Sequence, residues 1–250
     1  MSENKQAKTE TSRSYLQKAL MALVGLLILF ALGCLVCNRY RNQLAEQARE
    51  QRDEALGISS EEVSSEDKKK HHVDSGDKPR LISIAKAGVN QARIQEVGLL
   101  APSADGSQQM DVPKNIHDVG WYNCQINPIV ENRCDNYVAP ASDNTVNATV
   151  MDGHSCGGAA TGCVFDKVGQ LTAGDEIVVE IGNGSTVTYV IDLVEIVDLA
   201  DVDMTKVMKP YQKDTPGLNL ITCDGTWTSR DSRGVTTMNK RIVVYSSLKQ

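Results

Sequence analysis

The sequence has few aromatic residues and no excess of positive charge. Aromatic residues make up 4% of its 250 residues, with two Trp and two Phe, so a hydrophobic core must consist mainly of Val, Ile, Leu and Ala. The formal net charge is −6, whereas a nucleic-acid-binding protein is expected to present a basic face. The chain also lacks a P-loop, a dinucleotide-type glycine-rich turn and an HExxH helix. We therefore expect no nucleic-acid partner.

Charged and strongly polar side chains are absent from residues 19–37. A helix of this length is about long enough to cross the roughly 30 Å hydrocarbon core of a bilayer. A cleaved signal peptide is the alternative, but its apolar region is usually shorter, and Ala31-Leu32-Gly33 is only a weak cleavage site. The pattern favours an uncleaved anchor, and basic residues on both sides leave its orientation open.

The composition changes twice after this stretch. Residues 38–78 are predicted to form a stalk and then a disordered linker, because residues 57–78 are mostly polar and can bury little apolar surface. From residue 79 to residue 250, short apolar segments alternate with turn residues. Many short strands with few helical segments predict a mainly β domain, either an antiparallel barrel or a sandwich. Short helices are predicted near residues 118–122, 164–168 and 204–209.

The number of cysteines suggests one free thiol outside the membrane. Cys34 and Cys37 lie in the apolar stretch, where we expect them to act as small apolar residues. Five cysteines follow it: Cys124, Cys134, Cys156, Cys163 and Cys223. Local pairing as Cys124–Cys134 and Cys156–Cys163 would leave Cys223 unpaired, which in an exported domain indicates a reactive thiol. Four cysteines allow three pairings, so the connectivity stays open.

Three residues beside strand-like segments suit nucleophilic catalysis. Cys223 ends an apolar strand pattern just before an Asp-Gly break, so a rigid strand would hold its thiol where it can meet solvent. His154 follows a strand and a glycine, and its ordinary pKa of about 6.5 suits proton transfer. Arg241 opens the last apolar run and would stabilise an oxyanion. For each residue taken alone, a structural role is the alternative.

The order of these motifs resembles the sortase family, the membrane-anchored cysteine transpeptidases of bacterial surfaces. The family's Leu-x-Thr-Cys signature appears as Leu220-Ile221-Thr222-Cys223, its Gly-His element as Gly153-His154, and the arginine that opens its last strand as Arg241. The segments Val112-Pro113-Lys114 and Val119-Gly120-Trp121-Tyr122 look most like class E and class F sortases. The resemblance covers roughly the last two-thirds of the chain.

The resemblance implies a fold and a membrane topology. It implies a sortase-like antiparallel β-barrel of about eight strands with short helices over residues 79–250. Residues 1–18 would be a cytoplasmic tail, residues 19–37 a single-pass transmembrane anchor, and residues 38–78 an extracellular stalk or linker. The catalytic domain would then lie outside the cell.

The resemblance also implies a reaction. Cys223 would attack the Thr carbonyl of an LPxTG-like sorting signal, His154 would protonate the leaving amine, and Arg241 would stabilise the oxyanion. The thioester would then pass to an amine of a cell-wall precursor or a pilin lysine, and the chemistry requires no cofactor. Thr222 would shape the site or contact the substrate backbone. The alternative is a catalytically inactive surface barrel that binds peptide or cell wall.

Two metal sites are further alternatives. Some sortases bind calcium near the loop that here contains Asp198, Asp201 and Asp203, but the spacing matches no EF-hand, so a solvated acidic turn is favoured.

The second metal site would require reduced cysteines. Cys156 and Cys163, if reduced, would supply two of four zinc ligands, together with His154 and Cys223. Zinc sites more often use Cys-x-x-Cys pairs, which disfavours this alternative.

Overall fold

A computed structural model describes residues 3–100, 109–123, 138–140, 142–157, 162–231 and 233–250. The chain forms two compact units, Met1–Leu44 and Ala45–Gln250. Cys124 and Cys134, for which a disulfide is predicted, lie outside the described residues.

The first unit consists of most of a long helix, α1, which begins at Glu3 and ends at Leu56. Large apolar side chains of this helix are exposed, among them Leu26 at 65%, Phe30 at 72% and Val36 at 67%. A continuous apolar surface of this kind is unusual in a water-soluble helix. By length and composition, the segment Leu23–Leu56 is a candidate membrane span.

The second unit is built on a closed barrel of eight strands, in the order β1-β2-β3-β4-β7-β10-β6-β5. The helices and strands of this unit, after the end of α1, are α2 Ser65–Lys70, β1 Pro79–Ile84, β2 Val89–Val97, β3 Val119–Tyr122, β4 Thr149–Gly153, β5 Glu176–Ile181, β6 Thr186–Asp198, α3 Met204–Val207, β7 Gly217–Asp224, β8 Ser229–Arg230, β9 Thr236–Thr237 and β10 Lys240–Leu248. Short 3-10 turns occupy Ala85–Ala87, Val168–Gln170 and Leu199–Asp201. The β8 and β9 strands form a separate two-stranded ribbon.

The prediction of a mainly β barrel with about eight strands and short helices is confirmed, with one difference in strand direction. Most neighbouring strands run antiparallel, but β2 pairs with β3 and β4 pairs with β7 in parallel. Parallel neighbours need a long crossover, and long segments do separate both pairs in the chain. A sequence pattern of short strands does not by itself reveal such crossovers.

Alternation along the strands divides the apolar side chains between two clusters. On β7, Leu218 and Leu220 belong to the larger cluster enclosed by the barrel, whereas Ile221 belongs to a smaller cluster outside it. On β10, Val244 and Val243 divide in the same way. Because side chains of a strand alternate between the two faces, Cys223, two residues after Ile221, lies on the outer face. This outer face carries the candidate site.

Two local predictions are wrong. Val119–Tyr122, predicted near a short helix, is strand β3 instead, and all four of its residues are buried. Burial on both faces gives such a strand no alternation of apolar and polar residues, so the pattern misleads.

The prediction of a disordered linker over residues 57–78 is also wrong. This segment contains α2, and the guanidinium of Arg80 donates hydrogen bonds to the carbonyls of Lys68, Lys69 and His71, at 2.9, 2.7 and 2.8 Å. Hydrogen bonding to the barrel orders this segment although it has little apolar surface to bury.

Candidate active site

Cys223 and Arg241 are directly opposite each other on neighbouring strands. Cys223 is the penultimate residue of β7, and it pairs in register with Arg241 of β10. Directly opposed residues share a face of the sheet, so both side chains lie on the outer face. Cys223 has a free thiol that is half-buried. The strand pairing therefore brings a free thiol and a cation together.

Thr237 of the β8–β9 ribbon connects these two side chains. Its hydroxyl oxygen lies 3.9 Å from the Cys223 sulfur and accepts a hydrogen bond of 3.2 Å from Nη2 of Arg241. The other end of the Arg241 guanidinium donates to the carbonyls of Met238 and Lys240, at 2.9 and 2.8 Å. These bonds fix the orientation of the guanidinium beside the thiol.

His154 follows the end of β4 and is only 5% exposed. Its Nε2 lies 2.8 Å from the carbonyl oxygen of Pro113. A carbonyl can only accept, so Nε2 carries the proton in this arrangement. Burial, followed by the positive charges of Arg52 and Lys114, lowers the pKa of His154 from 6.5 to about 4, against the opposing effect of the Pro113 carbonyl. His154 is therefore neutral at pH 7 in this conformation.

The last turns of α1 pack against this site. Arg52 is 5% exposed, and its guanidinium lies 5.1 Å from the ring centre of Trp227, in the loop after the nucleophile strand. Its Nε donates to Asp53 at 2.7 Å, and Asp53 is also buried. The end of this helix, in the segment predicted to be a stalk, therefore belongs to the barrel unit.

One cleft brings the candidate residues together. A cavity of about 400 Å³ is lined by Cys223, His154 and Arg241. Its walls are largely apolar, and the apolar lining residues are Leu56, Leu99, Met110, Val112, Tyr122, Leu199, Val202, Met204, Met208 and Ile221. An apolar cleft with a few convergent polar groups is the usual form of a binding site for a peptide or small molecule.

Thr222 connects strands β7 and β4. It is 4% exposed, and its hydroxyl donates a hydrogen bond of 2.7 Å to the carbonyl oxygen of Gly153. This bond links the residue before the nucleophile to the residue before His154. Of the two roles predicted for Thr222, the geometry fits that of shaping the site.

A disulfide joins Cys156 to Cys163 in the loop after His154. The Asp166 carboxylate accepts hydrogen bonds from the backbone N–H groups of Cys156 and Cys163, at 2.7 and 3.0 Å. Two of the four ligands of the alternative zinc site are therefore bonded to each other, and that site is not formed here.

The acidic residues considered for calcium do not form a cation site in the described part of the chain. The carboxylate of Asp203 caps α3 by accepting hydrogen bonds from the N–H groups of Thr205 and Lys206. Its carboxylate oxygens do not form a cluster with those of Asp198 and Asp201. Among the described residues, the one set of three or more possible ligand atoms within 4.8 Å of one another belongs to Cys156, Cys163 and Asp166. Asp203 is therefore a capping residue, whereas Asp198 makes no side-chain bond to the 3-10 turn that follows it.

The sequence pattern does not identify every residue of the site. The polar pattern around Arg52 predicts a solvated side chain, and the sequence around Thr237, which is in strand β9, has no regular alternation. In the sequence, Asp224-Gly225 after Cys223 indicates that the strand ends there and that a loop follows, from which a residue such as Thr237 can contact Cys223.

The cleft thus holds a free thiol at the end of a barrel strand, a buried histidine and an ordered arginine, and these are groups that cysteine-nucleophile catalysis can use. Residues 130–249, which contain all three side chains, match the family model described as Sortase domain. This match confirms the resemblance to the sortase family that the sequence motifs predict. The assignment to class E or class F stays a prediction.

Solved structures of sortases are also similar to this chain. A sortase D5 of Clostridium perfringens is 21% identical, with 82% of this chain and 99% of that chain covered and a TM-score of 0.39. Sortase C-1 of Actinomyces oris is 16% identical, with 83% and 98% covered and a TM-score of 0.44. Sortase A of Listeria monocytogenes is 12% identical, with 68% and 86% covered and a TM-score of 0.39. A search of curated proteins found no match.

Proposed function

We propose that this protein is a sortase-type cysteine transpeptidase that uses Cys223 as its nucleophile. The observation that carries the proposal is that Cys223, His154 and Arg241 line one cleft. The match of residues 130–249 to the sortase domain supports it independently.

In the proposed reaction the Cys223 thiolate attacks the Thr carbonyl carbon of an LPxTG-like sorting signal. Arg241, ordered by its three hydrogen bonds, donates to the oxyanion that forms. The C–N bond to Gly then breaks, the leaving amine takes a proton from His154, and a thioester remains on Cys223. An amine of a cell-wall precursor or a pilin attacks this thioester and loses a proton to His154, and the C–S bond breaks to release the Cys223 thiolate.

The proposed role of His154 requires a change from the conformation described here. The Nε2–H group is engaged with the Pro113 carbonyl, and the ring is neutral at pH 7. Release of this bond by the bound peptide, and movement of Arg52 away from the ring, would both favour the protonated form. The cleft as described thus corresponds to a resting state.

We also propose that α1 anchors the protein in a bacterial cell membrane, with its N-terminus in the cytoplasm and the barrel outside. The apolar, exposed segment of this helix supports anchoring. The orientation rests on the family resemblance, and protease accessibility of an N-terminal tag in intact cells tests it.

The transpeptidase proposal is tested with the full chain in detergent micelles, an LPxTG peptide and triglycine, followed by intact mass. We expect an acyl adduct on Cys223 and a triglycine-exchanged peptide. Cys223→Ala should abolish both, whereas the double variant Cys34→Ala/Cys37→Ala, which removes the other free thiols of the described residues, should retain both. Turnover by Cys223→Ala would refute the assignment. Peptide binding without an adduct, together with an unreactive Cys223, would favour the inactive binding module.

A further inference from the structure

Asp152 is a buried carboxyl in the floor of the cleft, two residues before His154. It lies on β4 and is 8% exposed, and it lines the cavity that contains Cys223. Its Oδ1 is buried and has no hydrogen-bond partner among the residues that the structure describes. The reaction proposed above does not use this group.

The sheet makes room for this carboxyl at Gly120 of β3. Gly120 pairs directly with Asp152, and a Cβ added to Gly120 would lie 2.1 Å from Oδ1 of Asp152. Only glycine therefore accommodates the carboxyl in this position. The absence of a side chain at Gly120 of β3 therefore leaves the space that the Asp152 carboxyl occupies.

The position of Asp152 relative to the nucleophile follows from the strand register. Asp152 pairs in parallel with Ile221 on β7, and Cys223 lies two residues further along that strand on the same face. At about 3.3 Å per residue and about 4.8 Å between strands, the two Cα atoms are roughly 8 Å apart. This distance corresponds to about two residues of an extended peptide. A peptide acylated at Cys223 would therefore place a nearby side chain over Asp152.

The surroundings of Asp152 determine which side chain would be favourable. Burial, and secondarily the charge of Asp111, raise the pKa of Asp152 well above its ordinary value, against the smaller effects of its own backbone N–H and of Lys114. A neutral carboxyl has one O–H donor and also accepts hydrogen bonds.

The other charges of the cleft disfavour a basic peptide side chain. Arg52, Arg233 and Arg241 line the cavity, and Asp231 is already paired with Arg233. The uncharged polar lining residues include Gln109, Thr236 and Thr237, but no group among the described residues donates to Oδ1 of Asp152. The bound peptide itself must supply the hydrogen bond.

We infer that Asp152 determines the specificity of the cleft by selecting sorting peptides that carry an uncharged hydrogen-bonding side chain, a hydroxyl or carboxamide, about two residues from the scissile bond. This inference rests on the proposed transpeptidase function. Asp152 is a specificity residue in this account, because it contacts the peptide and takes no part in bond breaking.

The test uses the full chain in detergent and a peptide set in which each position flanking the scissile Thr–Gly pair carries Ala, Val, Ser, Asn or Lys in turn. The measured quantity is kcat/KM for each peptide. For the wild type, a buried polar group left without a partner should cost about 10- to 100-fold, so at one position Ser or Asn should exceed Val by that factor. Lys at that position should be a poor substrate.

Two variants separate a specificity role from a structural one. Asp152→Ala should remove or reverse the preference at that one position, while Asp152→Asn, which keeps the size and an uncharged polar group, should retain it. Asp214→Asn, a control at a side chain 81% exposed and outside the cleft lining, should behave as the wild type. Unfolding temperatures check that each variant is folded. If Asp152→Ala does not fold, the peptide preference of Asp152→Asn alone tests the inference.

The outcomes distinguish this inference from the function on which it rests. A wild type that acts on no peptide of the set overturns both. If the wild type is active but shows no preference for Ser or Asn over Val, the inference alone is overturned. The same holds if Asp152→Ala lowers kcat/KM equally for every peptide. A preference for Lys, or loss of the preference in Asp152→Asn, would show that an ionised carboxylate is needed and would also overturn it.

Discussion

The neutral state of His154 makes a quantitative prediction about stability and pH. Its pKa is lowered from 6.5 to about 4 in the folded protein, so between these values the unfolded chain binds more protons than the folded chain. The free energy of unfolding therefore contains a His154 contribution that is complete above pH 6.5 and is lost as the pH falls. At about 1.4 kcal/mol per pH unit, the loss is about 3 kcal/mol by pH 4.

Other groups titrate in the same pH range, so the prediction concerns the difference in stability loss between the wild type and a variant that lacks His154. Burial raises the pKa of Asp152 and lowers those of His71 and His72, and the effects of these groups occur in every variant that retains them. His154→Gln removes only the His154 contribution. We expect wild type to lose about 3 kcal/mol more than His154→Gln between pH 7 and pH 4.

Arg52→Gln tests the cause of the shift. Burial is the largest cause and the Arg52 charge comes next, so removal of this charge should raise the pKa of His154 but leave it below 6.5. The stability lost between pH 7 and pH 4 should then be smaller than in the wild type. Arg41→Gln, which removes an exposed arginine of the same helix, is the matched control and should leave the wild-type loss unchanged.

Chemical denaturation followed by tryptophan fluorescence measures these free energies for the barrel unit, since both tryptophans, Trp121 and Trp227, lie within it. NMR titration of the histidine ring checks the pKa directly, with His154→Gln for assignment. Parallel loss of stability in wild type and His154→Gln would refute the reasoning, because His154 would then have the same pKa folded and unfolded.

Three further variants test the supports of the site. Thr237→Val removes the hydroxyl that accepts from the arginine and lies near the Cys223 sulfur, and it should lower kcat by about 10-fold with unchanged unfolding temperature; unchanged kcat would contradict this role. Gly153→Ala places a Cβ 2.5 Å from the Phe165 ring and should lower the free energy of unfolding by about 1 to 3 kcal/mol, measured by denaturation; no loss would show that the ring can move. Cys156→Ser opens the disulfide of the following loop and should cost about 2 kcal/mol in the same assay, whereas equal stability of wild type under reducing and oxidising conditions would contradict it.

The sequence predicts best what depends on strand alternation. Cys223, Arg241 and His154 each stand at the end of an apolar segment, and such positions lie at the mouth of a barrel once the segments pair. The same pattern does not predict the parallel pairing of β4 with β7, because that depends on how long segments cross the barrel. Yet it is this pairing that brings His154 near the nucleophile strand.

Contacts made by polar segments are the part that sequence reasoning misses. Arg52 lies in a polar helical stretch and Arg80 opens the first predicted strand, and neither pattern shows that the side chain is buried, as both are. A long side chain can place its guanidinium in a buried position when backbone carbonyls, a carboxylate or an aromatic face receive it. No periodicity marks such a residue in advance, because its environment comes from segments distant in the chain.

The boundary of the catalytic unit follows from the same contacts. A domain that begins at residue 79 would contain every motif of the family but would lack Arg52 and Leu56, which line the cleft. It would also lose the bonds between Ser59 and the segment at Asn115, close to the Pro113 carbonyl that binds His154. Because the groups that keep His154 neutral include Arg52, the end of the N-terminal helix is part of the chemistry of the site. The folded unit is therefore better defined from Ala45, where the helix joins the barrel, than from the first strand.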